Sequence, residues 1–122
     1  MLFRSERVQL RRPIQIECTM ISEAVLDTGA CRTTIDEQVF KIIMDDCKAV
    51  HNQNGRAMPD FLEWTNPEPL ICANNEELVP THVLRAKIKI LSRTIIHPTV
   101  VIKGEGGRVL IGCDIQIGRA HV

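Results

Sequence analysis

Apolar positions alternate with polar ones over most of this chain, and one stretch departs from that period of two. Ile14, Ile16, Cys18 and Met20 alternate with Gln15, Glu17 and Thr19, the spacing of a strand with one buried face. Ala24, Val25 and Leu26 form a second apolar run that leads into Asp27-Thr28-Gly29. A strand ending in a glycine turn presents a side chain at the end of a sheet. Phe40, Ile43, Met44, Cys47 and Val50 recur at helical spacing, and Thr34 with Glu37 predicts a capping box. Residues 51–69 are polar and broken by Asn54-Gly55 and three prolines, which predicts an extended surface loop, not a linker between domains.

From Leu70 onward the pattern returns to strands. Leu70-Ile71-Cys72 and Val83 to Leu91 flank an Ala-Asn-Asn-Glu-Glu-Leu segment whose Asn74-Asn75 pair suits a hairpin tip. Arg85, Lys87 and Lys89 alternate with Ala86, Ile88 and Ile90, so one face of that strand is wet. Thr99 to Ile102 predicts another strand, residues 103–108 a glycine-rich turn, and Val109-Leu110-Ile111 a short buried strand ending at Gly112. The sum is a mostly β single domain over residues 1–122 with one or two short helices.

Composition narrows the function. Lys plus Arg and Asp plus Glu are both 15, so no net charge favours a polyanion. Aromatics are 3% of residues and Tyr is absent, which leaves no stacking platform for single-stranded nucleic acid. These two facts exclude a nucleic-acid-binding β-barrel. The five cysteines, at 18, 31, 47, 72 and 113, lack zinc-site spacing, and an odd number cannot close completely into disulfides. Reduced thiols in an intracellular, cytoplasmic protein are expected. The first twelve residues carry no long apolar run, so neither a secretion signal nor a membrane span is expected there. His51, His82, His97 and His121 share no spacing and no carboxylate pattern, and the glycines at 104, 106 and 107 are not followed by a Lys-Ser/Thr. No metal or cofactor is expected.

Asp-Thr-Gly alone is weak: such a tripeptide arises by chance in about one chain in fifty of this length. Its surroundings raise its value. Ala24-Val25-Leu26 precedes it, Ala30 follows, Thr33-Thr34-Ile35 comes next, and Val109-Leu110-Ile111-Gly112-Cys113-Asp114 lies far downstream. With these motifs the chain resembles the retropepsins, the aspartic proteases of retroviruses, retrotransposons and their domesticated cellular relatives. Arg12-Pro13 before the first strand and Trp64 before the proposed flap add to the resemblance, which runs from about residue 8 to 118.

The resemblance implies a retropepsin-like closed β-barrel, the acid protease fold, as a single lobe with a flap hairpin around residues 70–84. It implies a homodimer, because one Asp-Thr-Gly supplies one carboxylate and the chemistry needs two. Paired carboxylates cannot both ionise, so they share a proton and act as base and acid on either side of a water. The resemblance assigns the catalytic loop to Asp27, Thr28 and Gly29. It assigns substrate contacts to Ala30, Arg32, Thr34, Ile71, Cys72, Ala73, Asn74 and Leu110. The expected substrate is a polypeptide, which includes the chain's own precursor.

Three departures from the family stand out. The hairpin tip lacks the glycines of the most mobile flaps. Cys31 and Cys113 replace an acidic residue and an arginine that form an ion pair, so the two thiols are expected to lie close, packed without a bond or joined as a disulfide; Arg12 loses its acidic contact with them. After Gly112 only ten residues follow, where viral subunits carry an interleaved terminal strand. The dimer then uses other surfaces, such as residues 1–10, or the chain is part of a longer polyprotein. The leading expectation is an aspartic endopeptidase, and the alternative is a catalytically weak or inactive dimerisation or peptide-binding module.

Overall fold

The computed structural model describes residues 10–27, 32–66, 69–71, 75–112 and 114–115. Its strands are β1 (Leu10–Ile16), β2 (Thr19–Leu26), β3 (Thr34–Asp36), β4 (Phe61–Glu63), β5 (Leu70–Ile71), β6 (Glu77–Leu78), β7 (Pro80–Ile90), β8 (Arg93–Ile102) and β9 (Val109–Ile111). One helix, α1 (Glu37–Asn54), lies between β3 and β4. The main sheet runs β1-β2-β9-β3-β8-β7, and β7 pairs back onto β1, closing a barrel that leaves β4 added outside on β7. Closure removes the open edges that a six-strand sheet would otherwise expose. The fold is therefore mostly β, as the pattern of the sequence predicts, with the closed barrel that the resemblance implies.

The first predicted strand is in fact a hairpin. β1 ends at Ile16, Glu17-Cys18 turn, and Ile16 pairs with Thr19. Glu17 takes φ +53, the left-handed region that two-residue hairpin turns demand. Pro13 sits within a register shift between Arg12 and Ile14, the place where a residue without an N–H is tolerated.

The helix starts two residues later than a Thr34 capping box requires. Thr34 belongs to β3, paired with Val100 and Leu110. Asp36 is the N-cap instead, its Oδ1 accepting from Val39 N–H at 3.0 Å. Val39, Ile43 and Cys47 form the buried stripe, four residues apart on one face. The helix runs on through residues 51–54, read as loop from their polarity, and stops at Gly55, whose φ of +69 and N–H bond to His51 complete the C-cap. Strand β4 also emerges from the predicted loop, held by pairing with β7.

The core fills the barrel with Ile14, Ile16, Ala24, Ile35, Leu84, Ala86, Ile88, Val101, Val109 and Ile111, and α1 closes one side. Arg85, Lys87 and Lys89 face outward between these, as expected. A second cluster, Leu78, Val100 and Ile102 with Trp64 and Leu70, covers the outer face of β8. The consequence is that β3, β9 and the end of β8 are buried on both faces, and these strands carry the candidate site.

Candidate active site

Strand β2 ends at Leu26, and Asp27 follows directly. β2 pairs in parallel with β9, Val25 opposite Leu110 and Leu26 opposite Ile111, and the Asp27 N–H donates to the Ile111 carbonyl at 3.0 Å. That bond fixes the aspartate's backbone to the barrel. β3 pairs on the other side of β9. Thr28, Gly29, Ala30 and Cys31 lie outside the described residues, so the loop is known by its two ends.

The far end of the loop is pinned as firmly. Thr33, wholly buried, donates from its backbone N–H to Asp114 Oδ2 (3.1 Å) and from its hydroxyl to Asp114 Oδ1 (2.8 Å). The same hydroxyl accepts the Gly112 N–H at 3.2 Å, and the Thr33 carbonyl accepts Val100 N–H at 3.0 Å. His97 Nε2 lies 2.8 Å from Asp114 Oδ2. Asp114 thus bridges across the barrel instead of serving a local turn alone, and His97 has a carboxylate partner that spacing did not reveal.

Alternation along the strands decides which side chains share a face with Asp27. Val25 is two residues back on the same strand, Leu110 pairs with Val25, Thr34 pairs with Leu110, and Val100 pairs with Thr34. Paired residues point to the same side of a sheet, so this row crosses one outer face of the barrel, from Val25 to Val100. Val100 belongs to the cluster on which the β5–β6 hairpin rests through Leu70 and Leu78. The hairpin thus rests on the β8 end of this row, and Asp27 follows its β2 end. Thr34 is 2% exposed and Leu110 8% exposed, while Ile71 on the hairpin is 56% exposed and Arg32 is exposed. Cys72, Ala73 and Asn74 lie outside the described residues, as does Cys113, so the proximity of Cys31 and Cys113 does too.

A cleft of about 310 Å³ opens on this face, lined by Val25, Leu110, Arg108, Glu23 and Arg11. Val25 and Arg108 were not singled out from the sequence. Both follow from the period of two, counted back from Asp27 and from Leu110. The cleft has an apolar floor and charged walls, and its charges are matched: Arg11 pairs with Glu23 at 3.7 Å and Arg108 with Glu76 at 2.8 Å.

Arg108 ties three parts of the site together. Its guanidinium makes two bonds to the Glu76 carboxylate, at 3.1 and 2.8 Å, beside β6. Its backbone N–H donates to Asp36 Oδ2 at 2.7 Å, and its carbonyl accepts Asp36 N–H at 3.1 Å. The bonds from Arg108 hold the Glu76 carboxyl below the usual carboxylate range. Gly104 and Gly106 lie beside Asp36, and the φ of +142 at Gly104 is a conformation that L side chains rarely adopt.

Among the described residues, no group of three or more His, Cys, Asp or Glu side chains is placed to hold a metal ion. No helix among them is long and apolar enough to cross a membrane.

No protein-family model and no curated protein sequence matches the chain. Solved structures do match in fold. The retroviral protease-like domain of Ddi1 from Leishmania major aligns with a TM-score of 0.54 at 16% identity, over 95% of this chain and 80% of that one. The EIAV protease complexed with the inhibitor HBY-793 aligns with a TM-score of 0.57 at 15% identity, over 99% of this chain and 96% of that one. With its closed barrel, its Asp-Thr-Gly at the end of β2 and these neighbours, the chain has the retropepsin-like fold.

Proposed function

We propose that this chain is one subunit of a homodimeric aspartic endopeptidase, a single domain over residues 1–122 that hydrolyses polypeptide substrates. The observation that supports the reading is Asp27 directly after β2, half-exposed, with its own N–H bonded to the Ile111 carbonyl of β9, two residues beyond Val25, which lines a cleft with Leu110. Two fold neighbours titled as a protease and a protease-like domain, one of them in complex with an inhibitor, support it.

The chemistry follows from two copies of Asp27 facing each other across a twofold axis. Two nearby carboxylates retain one proton between them. The ionised one takes a proton from water, whose oxygen attacks the peptide carbonyl. The protonated one donates to the carbonyl oxygen as it becomes anionic, and the pair is restored when the amine leaves with a proton. Thr28 and Gly29 hold the two loops together. Val25, Leu110 and Arg108 form a side-chain pocket, with Ala30, Arg32 and Thr34 beside the peptide. The hairpin with Ile71, Cys72, Ala73 and Asn74 closes over it as a flap, adding strand-like backbone bonds.

A peptide-library cleavage assay on wild type and Asp27→Asn tests this, with and without a pepstatin-type inhibitor. The expected outcome is cleavage by wild type, blocked by inhibitor and reduced about 10²–10⁴-fold or more in the variant. Cleavage that survives the substitution rules the mechanism out. Cleavage by neither protein would favour the alternative, a peptide-binding or dimerisation module.

A further inference from the structure

The turn between β1 and β2 places Cys18 against Cys47 in the middle of α1, on the barrel wall away from Asp27. Two independent observations fix that juxtaposition. Thr19 donates from its hydroxyl to Asp46 Oδ2 at 2.7 Å, one residue along on each segment. Cys18 and Cys47 also line one cavity together. The other side of the turn is clamped to β7, where Glu17 N–H donates to the Lys87 carbonyl at 2.8 Å and Lys87 N–H to Glu17 Oε2 at 2.7 Å. Both thiols are free, Cys47 buried and Cys18 half-buried, and both line a cavity of about 390 Å³ with Gln15, Glu17, Val50, Arg56, Ala57 and Lys87. A small oxidant in that cavity therefore meets two thiols on segments held together by a rigid frame.

We propose that Cys18 and Cys47 form an oxidisable dithiol site that a hydroperoxide converts to a disulfide linking the β1–β2 turn to α1. The Cys18 thiolate attacks the terminal peroxide oxygen and the O–O bond breaks, which leaves a sulfenic acid on Cys18 and releases hydroxide or, from an organic hydroperoxide, an alkoxide, which takes up a proton to become water or an alcohol. Cys47 then attacks that sulfur. The S–O bond breaks, the S–S bond forms, and the Cys47 proton leaves with the hydroxide as a second water. Two thiols lose two electrons and the peroxide gains them. Burial pushes the Cys47 thiol up to about 11 and keeps it protonated, which leaves the more accessible Cys18 to meet the oxidant first.

The test treats the intact chain with hydrogen peroxide, alkylates residual thiols, and digests with trypsin and a glutamyl protease, which separates Cys18 (peptide 18–23) from Cys31 and from Cys47 (peptide 42–48). The expected result is a dithiothreitol-reversible cross-link between those two peptides, with both thiols lost in step. A Cys47→Ser chain should accumulate sulfenic acid at Cys18, read as at least about fivefold more dimedone labelling than wild type, since the resolving thiol is gone. Recovery of Cys18 and Cys47 as alkylated thiols, oxidation of Cys18 with Cys47 still free, or pairing of either with another cysteine would each overturn the proposal. So would equal dimedone labelling in the variant and wild type.

Discussion

The floor of the candidate site and the hairpin that shares its face are built in opposite ways. β2, β9 and β3 lie side by side inside the closed barrel, and β3 and β9 have no exposed residue. The loop that starts at Asp27 is held at one end by a ladder bond to Ile111 and at the other by the Thr33–Asp114–His97 network. Among the described residues, the β5–β6 hairpin has two residues in each strand, pairs in a sheet of its own, and is attached through Leu70, Leu78 and the Arg108–Glu76 ion pair. Buried, mutually satisfied groups open only with the whole fold, whereas a short ladder on a small apolar contact opens locally at little cost. The Asp27 backbone is thus held to the barrel, while the hairpin is the more weakly attached of the two regions. That division is what a site needs if an extended chain must enter from the side.

Breaking the floor should cost most. Asp114→Ala removes the acceptor of Thr33 N–H, of the Thr33 hydroxyl and of His97, leaving buried donors unpaired. A loss of about 3 kcal/mol in urea unfolding is expected, with hydrolytic activity falling alongside it. Asp114→Asn keeps an oxygen for Thr33 N–H and His97, and should cost less than about 1 kcal/mol. If Ala and Asn behave alike, the network does not hold the loop.

Asp36 joins the floor to the rest and should come next. It caps α1 through Val39 N–H and accepts Arg108 N–H, while being 2% exposed. Asp36→Ala should destabilise by about 2 kcal/mol, the sum of a lost cap and a stranded amide. Asp36→Asn should recover part of that loss, since an amide oxygen still serves the cap.

How much of this the sequence disclosed depends on whether the deciding contact was local. Val109-Leu110-Ile111 reads as a buried strand because it is one, and Asp27 reads as a strand-end residue because Ala24 to Leu26 lead straight to it. The hairpin at Glu17-Cys18 was hidden because Cys18 and Met20 carry the alternation straight across the turn. In the fold the phase slips by one, so Thr19 is buried and Met20 is 68% exposed. The last turn of α1 is polar all round, and only its Gly55 stop marks it as helix. Strand β4, Phe61–Glu63, is exposed at every position and owes its existence to its partner β7, so no periodicity announces it. Asp114 reaches Thr33 from 81 positions away, and Cys18 meets Cys47 through the fold of a helix on a turn. Neither distance is written in spacing. Thr28, Gly29 and Cys72 to Asn74 lie outside the described residues and remain assigned by resemblance.

The smallest effect should come from the hairpin, and its pH dependence separates it from the floor. Glu76 and Arg108 are both more than a third exposed, so Glu76→Gln should change global stability by less than about 1 kcal/mol. What it should change is local opening. With the Glu76 carboxyl lowered from its ordinary 4.5 in the folded chain by bonds from Arg108, protonation costs the folded state more than the unfolded one. The contribution of the pair is therefore complete above about 4.5 and is lost as pH falls through the lower, folded value. Amide hydrogen exchange at Glu77 and Leu78 should accelerate in Glu76→Gln relative to wild type at neutral pH, and the two proteins should converge in acid once intrinsic exchange rates are divided out. Exchange at Ile35 and Ile111 should be the same in both proteins at every pH where they stay folded. Were the floor amides to accelerate together with those of the hairpin, the two regions would be one cooperative unit, and the contrast between a firmly held floor and a weakly attached hairpin would fail.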